Sequence, residues 1–526
     1  MLAPDFYAAP PDSVDLVQTH ISYVLLAGDA VYKLKKPVRF VFLDFSTLER
    51  RRHFCHEEVR LNRRLAGDVY REVLAIVPRG GGFALAPADA DGAVEYAVHM
   101  RRLPAERVLS HLLDAGAVDD ALVDRIATRV AAFHAGADTN AEIARGGDPA
   151  TIARLMDEDF AEVVALHGDT ISAADDAAIQ HWCHARLRAL DARLRRRQAA
   201  GRIRDGHGDL HAEHIYALRT DTEARAAGAE AGAPGIDDAL VIVDCIEFNP
   251  AFRHRDVAAD IAFLAMDLEY HGRPDLAARL IATYGARSAD PDLPELVPFY
   301  ACQRAYIRGK VESLKSREAE VEPADAAAAR ASAIRHFALA LRYTWSDARV
   351  LVVVCGLSGS GKSTVAAALA ERTGFTHLNS DRTRKALAGL RPTDRGGDEL
   401  YTAERSAATY DALHAAARDA FAAGRGVILD GTFQRRAHRD RARTIADAAG
   451  APVLFVECRT AEAEIRRRLA ARAARDDDPS DADWEVYRRQ RRNYEPVAAD
   501  EPHVSVDSTR PLVEVLAEIE TALRAT

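Results

Sequence analysis

The sequence predicts two folded units in series: a mixed α+β unit over residues 1–345 and an α/β unit with a parallel sheet over residues 346–526. Three observations carry this. Short β-type runs surround one helix-like stretch in residues 12–103. A helical Ala/Leu/Arg-rich pattern follows from about Pro104. After TWSDA, strand signals alternate with helices to the end of the chain. Such alternation marks a parallel sheet covered on both faces, whereas clustered strands followed by helices mark an α+β unit.

In the first unit the runs ISYVLLAG, AVYKLKK, REVLAIVP and VEYAVHM read as an antiparallel sheet, with the Arg/Glu-rich stretch from Thr47 to Leu65 as the helix packed on it. The helical region is interrupted near residues 207–248 by HIYAL and LVIVDCIEF, separated by RTDTEARAAGAEAGAPGIDD, whose composition predicts an extended surface loop. Helices resume after Asp256 and run to about Tyr343, the last being EPADAAAARASAIRHFALALRY. In the second unit, RVLVVVC, FTHLNS, GVILDG, PVLFVEC and HVSVDS are the expected strands.

Composition narrows the function classes. The 526 residues carry 70 Lys plus Arg against 80 Asp plus Glu, a formal charge of −10, which excludes a nonspecific nucleic-acid coat. The longest apolar run, around Val350 to Cys355, is far short of the roughly 20 residues a membrane helix needs, and the start lacks a signal layout. The six cysteines include no CxxC pair, and the runs HFCH and HWCH lie on helical stretches that splay their side chains, against a zinc site. These features lead to the expectation of a cytoplasmic protein with no membrane partner. Lysine occurs seven times against 63 arginines, so each lysine is a candidate for a role that needs a compact ammonium.

One of the seven sits in the strongest motif. Gly356-Leu-Ser358-Gly359-Ser360-Gly361-Lys362-Ser363-Thr364 matches GxxxxGK[ST] between a buried-strand run and a helix-like segment. Its glycines let backbone N–H groups turn inward around phosphates, Lys362 neutralises charge, and the Ser363 hydroxyl coordinates Mg²⁺. The next strand ends at Asn379-Ser380-Asp381, where Asp381 is placed to take a proton from an acceptor hydroxyl and Arg384 to steady the acceptor; alternatively Asp381 caps the following helix. Asp430, at the end of GVILDG, is the expected Mg²⁺ or acceptor contact. The run RRRLAARAARDDDPSDADWEVYRRQRRNYEP reads as a lid delivering Arg468, Arg472 or Arg475 to phosphoryl charge. This order of features resembles the small AAA-type P-loop kinases related to gluconate kinase and the polynucleotide 5′-kinases. The resemblance implies use of ATP and Mg²⁺ and a hydroxyl acceptor.

A second constellation lies in the first unit. His207-Gly208-Asp209-Leu210-His211 precedes HIYAL, with LVIVDCIEF and Asp256-Val-Ala-Ala-Asp260-Ile-Ala-Phe behind it. A carboxylate on a tight loop near an acidic strand end suits a base and a metal ligand for phosphoryl transfer. These motifs resemble the aminoglycoside phosphotransferase and choline kinase group, whose bilobal fold is that of protein kinases. The resemblance implies Asp209 as base, Lys33 on the α/β-phosphates with Glu58 as ion-pair partner, Lys35 as the fallback, and Met100 to Leu103 as the adenine hinge. It departs at the metal site: His214 stands where the family has Asn, and Glu247 where it has Asp, with Asp244 three residues earlier. The first strands hold no glycine-rich phosphate loop. The whole arrangement resembles bacterial fusions of an aminoglycoside phosphotransferase domain with an ATP-binding domain. It leads to the expectation of a kinase with a small-molecule hydroxyl acceptor, the alternatives being a polynucleotide or RNA 5′-hydroxyl kinase and a P-loop kinase whose first unit is a catalytically silent sensor.

Overall fold

The computed structural model describes residues 1–526 apart from 41, 219–239, 319, 392, 395 and 474–481. The Gly/Ala/Asp-rich run between the two short β-type segments, and most of DDDPSDAD, therefore lie outside the described residues. The chain forms two compact units, Met1–Ala340 and Leu341–Thr526. The division falls inside the helix Pro323–Tyr343, a few residues before the boundary expected near residue 346. The physical reason is Trp345, which packs with Phe375 and Val352 in the core of the second unit.

The first unit opens with a six-stranded sheet ordered β1-β2-β3-β6-β4-β5 and antiparallel throughout. Its strands are β1 Val14–Gln18, β2 Ser22–Ala27, β3 Ala30–Lys35, β4 Tyr70–Arg79, β5 Gly82–Pro87 and β6 Glu95–Arg101. The helix Leu48–Ala66 begins where the Thr47 side chain accepts from Arg50 N, and it buries Cys55 and Val59 against Val73, Ala75 and Val98 of the sheet. Sheet pairing continues through Met100, which pairs with both Val31 and Tyr70, and Arg102 N donates to Asp29 O at 2.8 Å. Met100 and Arg101 of the expected adenine hinge are therefore the end of β6, and the N–H of Arg102 is already held by Asp29.

Helices dominate the rest of this unit. The helix Val257–Tyr270 is buried around nearly its whole circumference, as its VAADIAFLAMDL sequence requires, and packs against Leu293–Lys315 and Pro274–Ser288. Asp256 caps it through Ala258 N and holds Arg197 in a fork, with Asp290 on the guanidinium's other edge. Two short antiparallel pairs accompany these helices: β7 (Ile203–Asp205) with β10 (His254–Asp256), which leads into this helix, and β8 (Ile215–Ala217) with β9 (Leu240–Ile242), which packs against the helix Leu48–Ala66.

The second unit is a five-stranded parallel sheet, order β12-β13-β11-β14-β15, made by Thr376–Asn379, Val427–Asp430, Leu351–Cys355, Val453–Arg459 and His503–Asp507. Alternate residues of β11 enter different cores: Leu351, Val353 and Cys355 one, Val352 and Val354 the other. Burial on both faces explains the unbroken apolar run of this strand. The carboxyl ends of β11, β12 and β13 meet at one edge, where ligands bind in open parallel sheets. No helix among the described residues is long and apolar enough to cross a membrane.

Candidate functional site

The glycine loop between β11 and the helix Lys362–Thr373 lies at that edge. Gly361 has φ +85°, which strains any other residue, and a Cβ there would stand 2.8 Å from Ser508 Oγ and 3.0 Å from Arg468 Nη1 and push both aside. The loop leaves the helix's first N–H groups facing a cavity of about 1020 Å³. Ser358, Gly359, Gly361, Lys362, Ser363, Thr364, Asp381, Arg384, Asp430 and Arg468, all expected from the sequence, line that cavity. Gly356 and Ser360 shape the loop behind it: Gly356 N is held by Thr432 O and Ser360 N by Leu357 O. Lys362 Nζ donates to Leu357 O at 2.9 Å, curled over its own loop.

Asp430 is 1% exposed. Burial alone would raise its pKa, but His377, Lys362, Asn379 and Ser363 together hold it below the usual carboxylate value. Asn379 Nδ2 donates to Asp430 Oδ2 at 2.6 Å and lies 3.4 Å from Ser363 Oγ. Asp430 and Ser363 thus present adjacent hard oxygens, the donor chemistry Mg²⁺ prefers. His377 and Asn379 were not among the expected site residues. The signal was available, since residues two apart on a strand share a face.

The helix Ser380–Leu387 is capped by Asn379, whose Oδ1 accepts from Asp381 N at 3.0 Å and Arg382 N at 2.9 Å. The alternative reading of Asp381 as the cap is thereby corrected. Its carboxylate is free to pair with Arg384 Nη1, and the Arg384 guanidinium lies over the Tyr401 ring at 4.8 Å. Arg468 donates to Ser508 Oγ at 2.9 Å, directly beside Gly361. Gln490 is a further residue the sequence reading missed: its Oε1 accepts from Ser358 N at 2.9 Å. The Arg472 side chain and Arg475 lie outside the described residues.

In the first unit the loop His207–His211 is held from several sides. Asp260 Oδ2 accepts from His207 N at 2.8 Å and Asp260 Oδ1 from Gly208 N at 3.0 Å, while Asp267, two turns further along the helix, accepts from Ala212 N at 2.7 Å. Arg64 donates to Asp205 O and Gly206 O from the Leu48–Ala66 helix. His207 is buried and neutral, its pKa pushed down to about 4 by desolvation; its Nε2 donates to Val243 O and its Nδ1 accepts from Asp209 N. Gly208 has φ +84°, and a Cβ there would meet Phe252 O at 2.9 Å.

Asp209 is thereby presented with a third of its side chain exposed. Desolvation acts to raise its pKa, but His211, His214 and Arg308 outweigh that and keep it well below the usual range. Lys33 Nζ lies 2.8 Å from Glu58 Oε1 and 2.6 Å from Asp244 Oδ1. Lys35, expected only as a fallback, also binds Glu58, and it pairs with Glu247. The expectation of Glu247 as the metal ligand is corrected here. Glu247 is 6% exposed and committed to Lys35. Asp244 instead reaches the Asp209 loop, with His214 Nε2 at 3.6 Å from its Oδ2. The reason is local: Asp244 takes φ +63° with its N–H on Tyr70 OH, so the chain turns after β9 and residue 247 is carried back under the sheet.

The parallel sheet and its phosphate cradle define the second unit as a P-loop nucleotide-binding domain. Residues 351–497 match the family model described as "AAA domain". Over 491 residues, 90% of this chain and 92% of the relative, the sequence is 31% identical to Uncharacterized protein Rv2004c of Mycobacterium tuberculosis and to Uncharacterized protein Mb2027c of Mycobacterium bovis. The chain belongs to the family of these mycobacterial proteins. Among solved structures it is similar to a putative kinase from Chloroflexus aurantiacus, at 20% identity and TM-score 0.28 over 33% of this chain and 98% of that one. A gluconokinase from Sinorhizobium meliloti gives 22% identity and TM-score 0.26 over 34% and 93%. The APS kinase CysC of Mycobacterium tuberculosis gives 21% and 0.26 over 34% and 98%.

Proposed function

We propose that the chain is an ATP-dependent phosphotransferase whose second unit passes the γ-phosphoryl group of MgATP to a hydroxyl of a small molecule. The observation that carries this is one cavity holding both halves of the chemistry: the phosphate cradle with Lys362 and Ser363, and the carboxylate–guanidinium pair Asp381 and Arg384 on the neighbouring helix. In this reading Ser363 and Asp430 would hold Mg²⁺, and the ion would supply positive charge to the transferring phosphoryl group. Asp381 accepts the proton of the acceptor hydroxyl as its oxygen forms the new P–O bond, and ADP leaves with the electrons of the broken one. Arg384 turns from Asp381 to the acceptor, and Arg468 neutralises phosphoryl charge beside Gly361.

The first unit, in the same proposal, is a protein-kinase-like domain of the aminoglycoside phosphotransferase group with a second nucleotide site at Lys33 and Asp209. The Lys33–Glu58 ion pair and the Asp209 loop support that reading.

A polynucleotide acceptor is favoured by one observation, the arginines 382, 384, 467, 468, 489 and 510 around the same cavity. Labelled phosphate transfer from ATP to a metabolite extract, run beside transfer to a 5′-hydroxyl oligonucleotide at low salt, separates the two acceptors. Label in a small product and none in the oligonucleotide is expected; label in the oligonucleotide alone would replace the small-molecule reading.

A further inference from the structure

Asp209, His211 and His214 each offer a ligand atom within 4.8 Å of the others. His211 is 3% exposed, and its ring nitrogens stand 3.5 Å from Asp209 Oδ2 and 3.7 Å from Glu213 Oε2. Both separations exceed a good hydrogen bond. On the other side, His214 Nε2 stands 3.6 Å from Asp244 Oδ2. Donors about 2.1 Å from one ion in a tetrahedron lie about 3.4 Å apart, close to the His211 Nε2–Asp209 and His214 Nε2–Asp244 separations.

The histidine tautomer is already set. His214 Nδ1 donates to the backbone oxygen of Asp209 at 2.9 Å, which leaves Nε2 as the unprotonated donor facing Asp244. Metal-binding histidines are oriented in this way, by the hydrogen bond of the other ring nitrogen. The surrounding frame is rigid, since Asp260 and Asp267 clamp the loop from a buried helix.

We propose that the first unit binds a first-row transition-metal dication, of the Mn²⁺, Co²⁺ or Zn²⁺ class, through Asp209, His211 and His214, with Asp244 completing the set. Two imidazole nitrogens select such an ion over Mg²⁺, which prefers oxygen donors and gives up its waters reluctantly. Lys33, bound to Asp244 Oδ1, lies beside the ion, so the two together form a cationic seat for an anionic ligand. This site does not depend on phosphate transfer by either unit, because occupancy alone is measured.

The test uses the full chain after chelator treatment and dialysis, titrated with Co²⁺ and followed by visible ligand-field absorption and metal analysis. A second preparation carrying Lys362→Ala and Asp430→Asn removes the P-loop contribution. One equivalent of Co²⁺ with nitrogen-ligand bands is expected in both, surviving an excess of Mg²⁺. His211→Ala and His214→Ala should each weaken binding at least about tenfold. His214→Asn, which keeps a polar side chain of smaller size, should do the same and shift preference toward Mg²⁺; circular dichroism checks folding of each variant. Absence of Co²⁺ bands, displacement by Mg²⁺, or unchanged binding in folded histidine variants would overturn the proposal.

Discussion

Asn379 joins Asp430 to the helix that carries Asp381. Its Nδ2 donates to Asp430 Oδ2 at 2.6 Å while its Oδ1 accepts from Asp381 N and Arg382 N. One amide therefore orients the proposed metal carboxylate and fixes the start of the proposed base's helix.

Replacing Asn379 by Ala removes both functions. The lost cap costs about 1 kcal/mol, which thermal melting should register as a small decrease. Turnover should fall further, by roughly ten- to hundredfold, because Asp430 loses its orienting donor. Steady-state kinetics beside the melting curve separates the two effects; a fall in stability without a fall in turnover would remove Asn379 from the mechanism.

Gly361→Ala should reduce nucleotide affinity at least about tenfold while the unit stays folded. The left-handed φ disfavours any Cβ, which would also displace Ser508 Oγ and Arg468 Nη1, and the strain falls on the loop that encloses the phosphates. Calorimetric titration with a nonhydrolysable ATP analogue measures it.

Lys35→Ala should destabilise the first unit by about 3–5 kcal/mol. Its side chain is 1% exposed and serves both Glu58 and Glu247, which would be left as buried carboxylates with reduced compensation. Lys33→Ala, at a side chain 14% exposed with Glu58 still held by Lys35, should cost less. Denaturant unfolding of the two variants gives the comparison.

His414 is 1% exposed, and both ring nitrogens lack hydrogen-bond partners among the described residues. Desolvation pushes its pKa down to about 4. The folded state keeps it neutral, whereas the unfolded chain takes up a proton below its ordinary value of 6.5. Its contribution is thus full above pH 6.5 and is lost as pH falls toward 4. Unfolding of the second unit across that window should show the loss, and His414→Leu should flatten it.

Much of this was legible in the sequence, for identifiable reasons. All five strands of the second unit lay within one residue of the expected runs, and the three central ones, β11, β13 and β14, were plainest because burial on both faces writes itself as continuous apolar segments. β1 was missed because it is an exposed edge strand with a weak pattern, and β5 because it follows a tight glycine turn. The glycine loop and Lys362 were legible because their spacing is local. The exchange of roles between Asp244 and Glu247 was not, because it follows from a single left-handed residue and from partners more than 200 residues away. Asp267 and Arg64 were hidden for the same reason: they hold the Asp209 loop from other elements.

The central claim is tested most directly by following γ-labelled phosphate from ATP into a metabolite extract with the full chain and with Lys362→Ala and Asp381→Asn. The account predicts a labelled, hydroxyl-linked product that Lys362→Ala abolishes and Asp381→Asn slows by at least about a hundredfold. Release of inorganic phosphate with no labelled acceptor, or transfer that persists unchanged in Lys362→Ala, would contradict it.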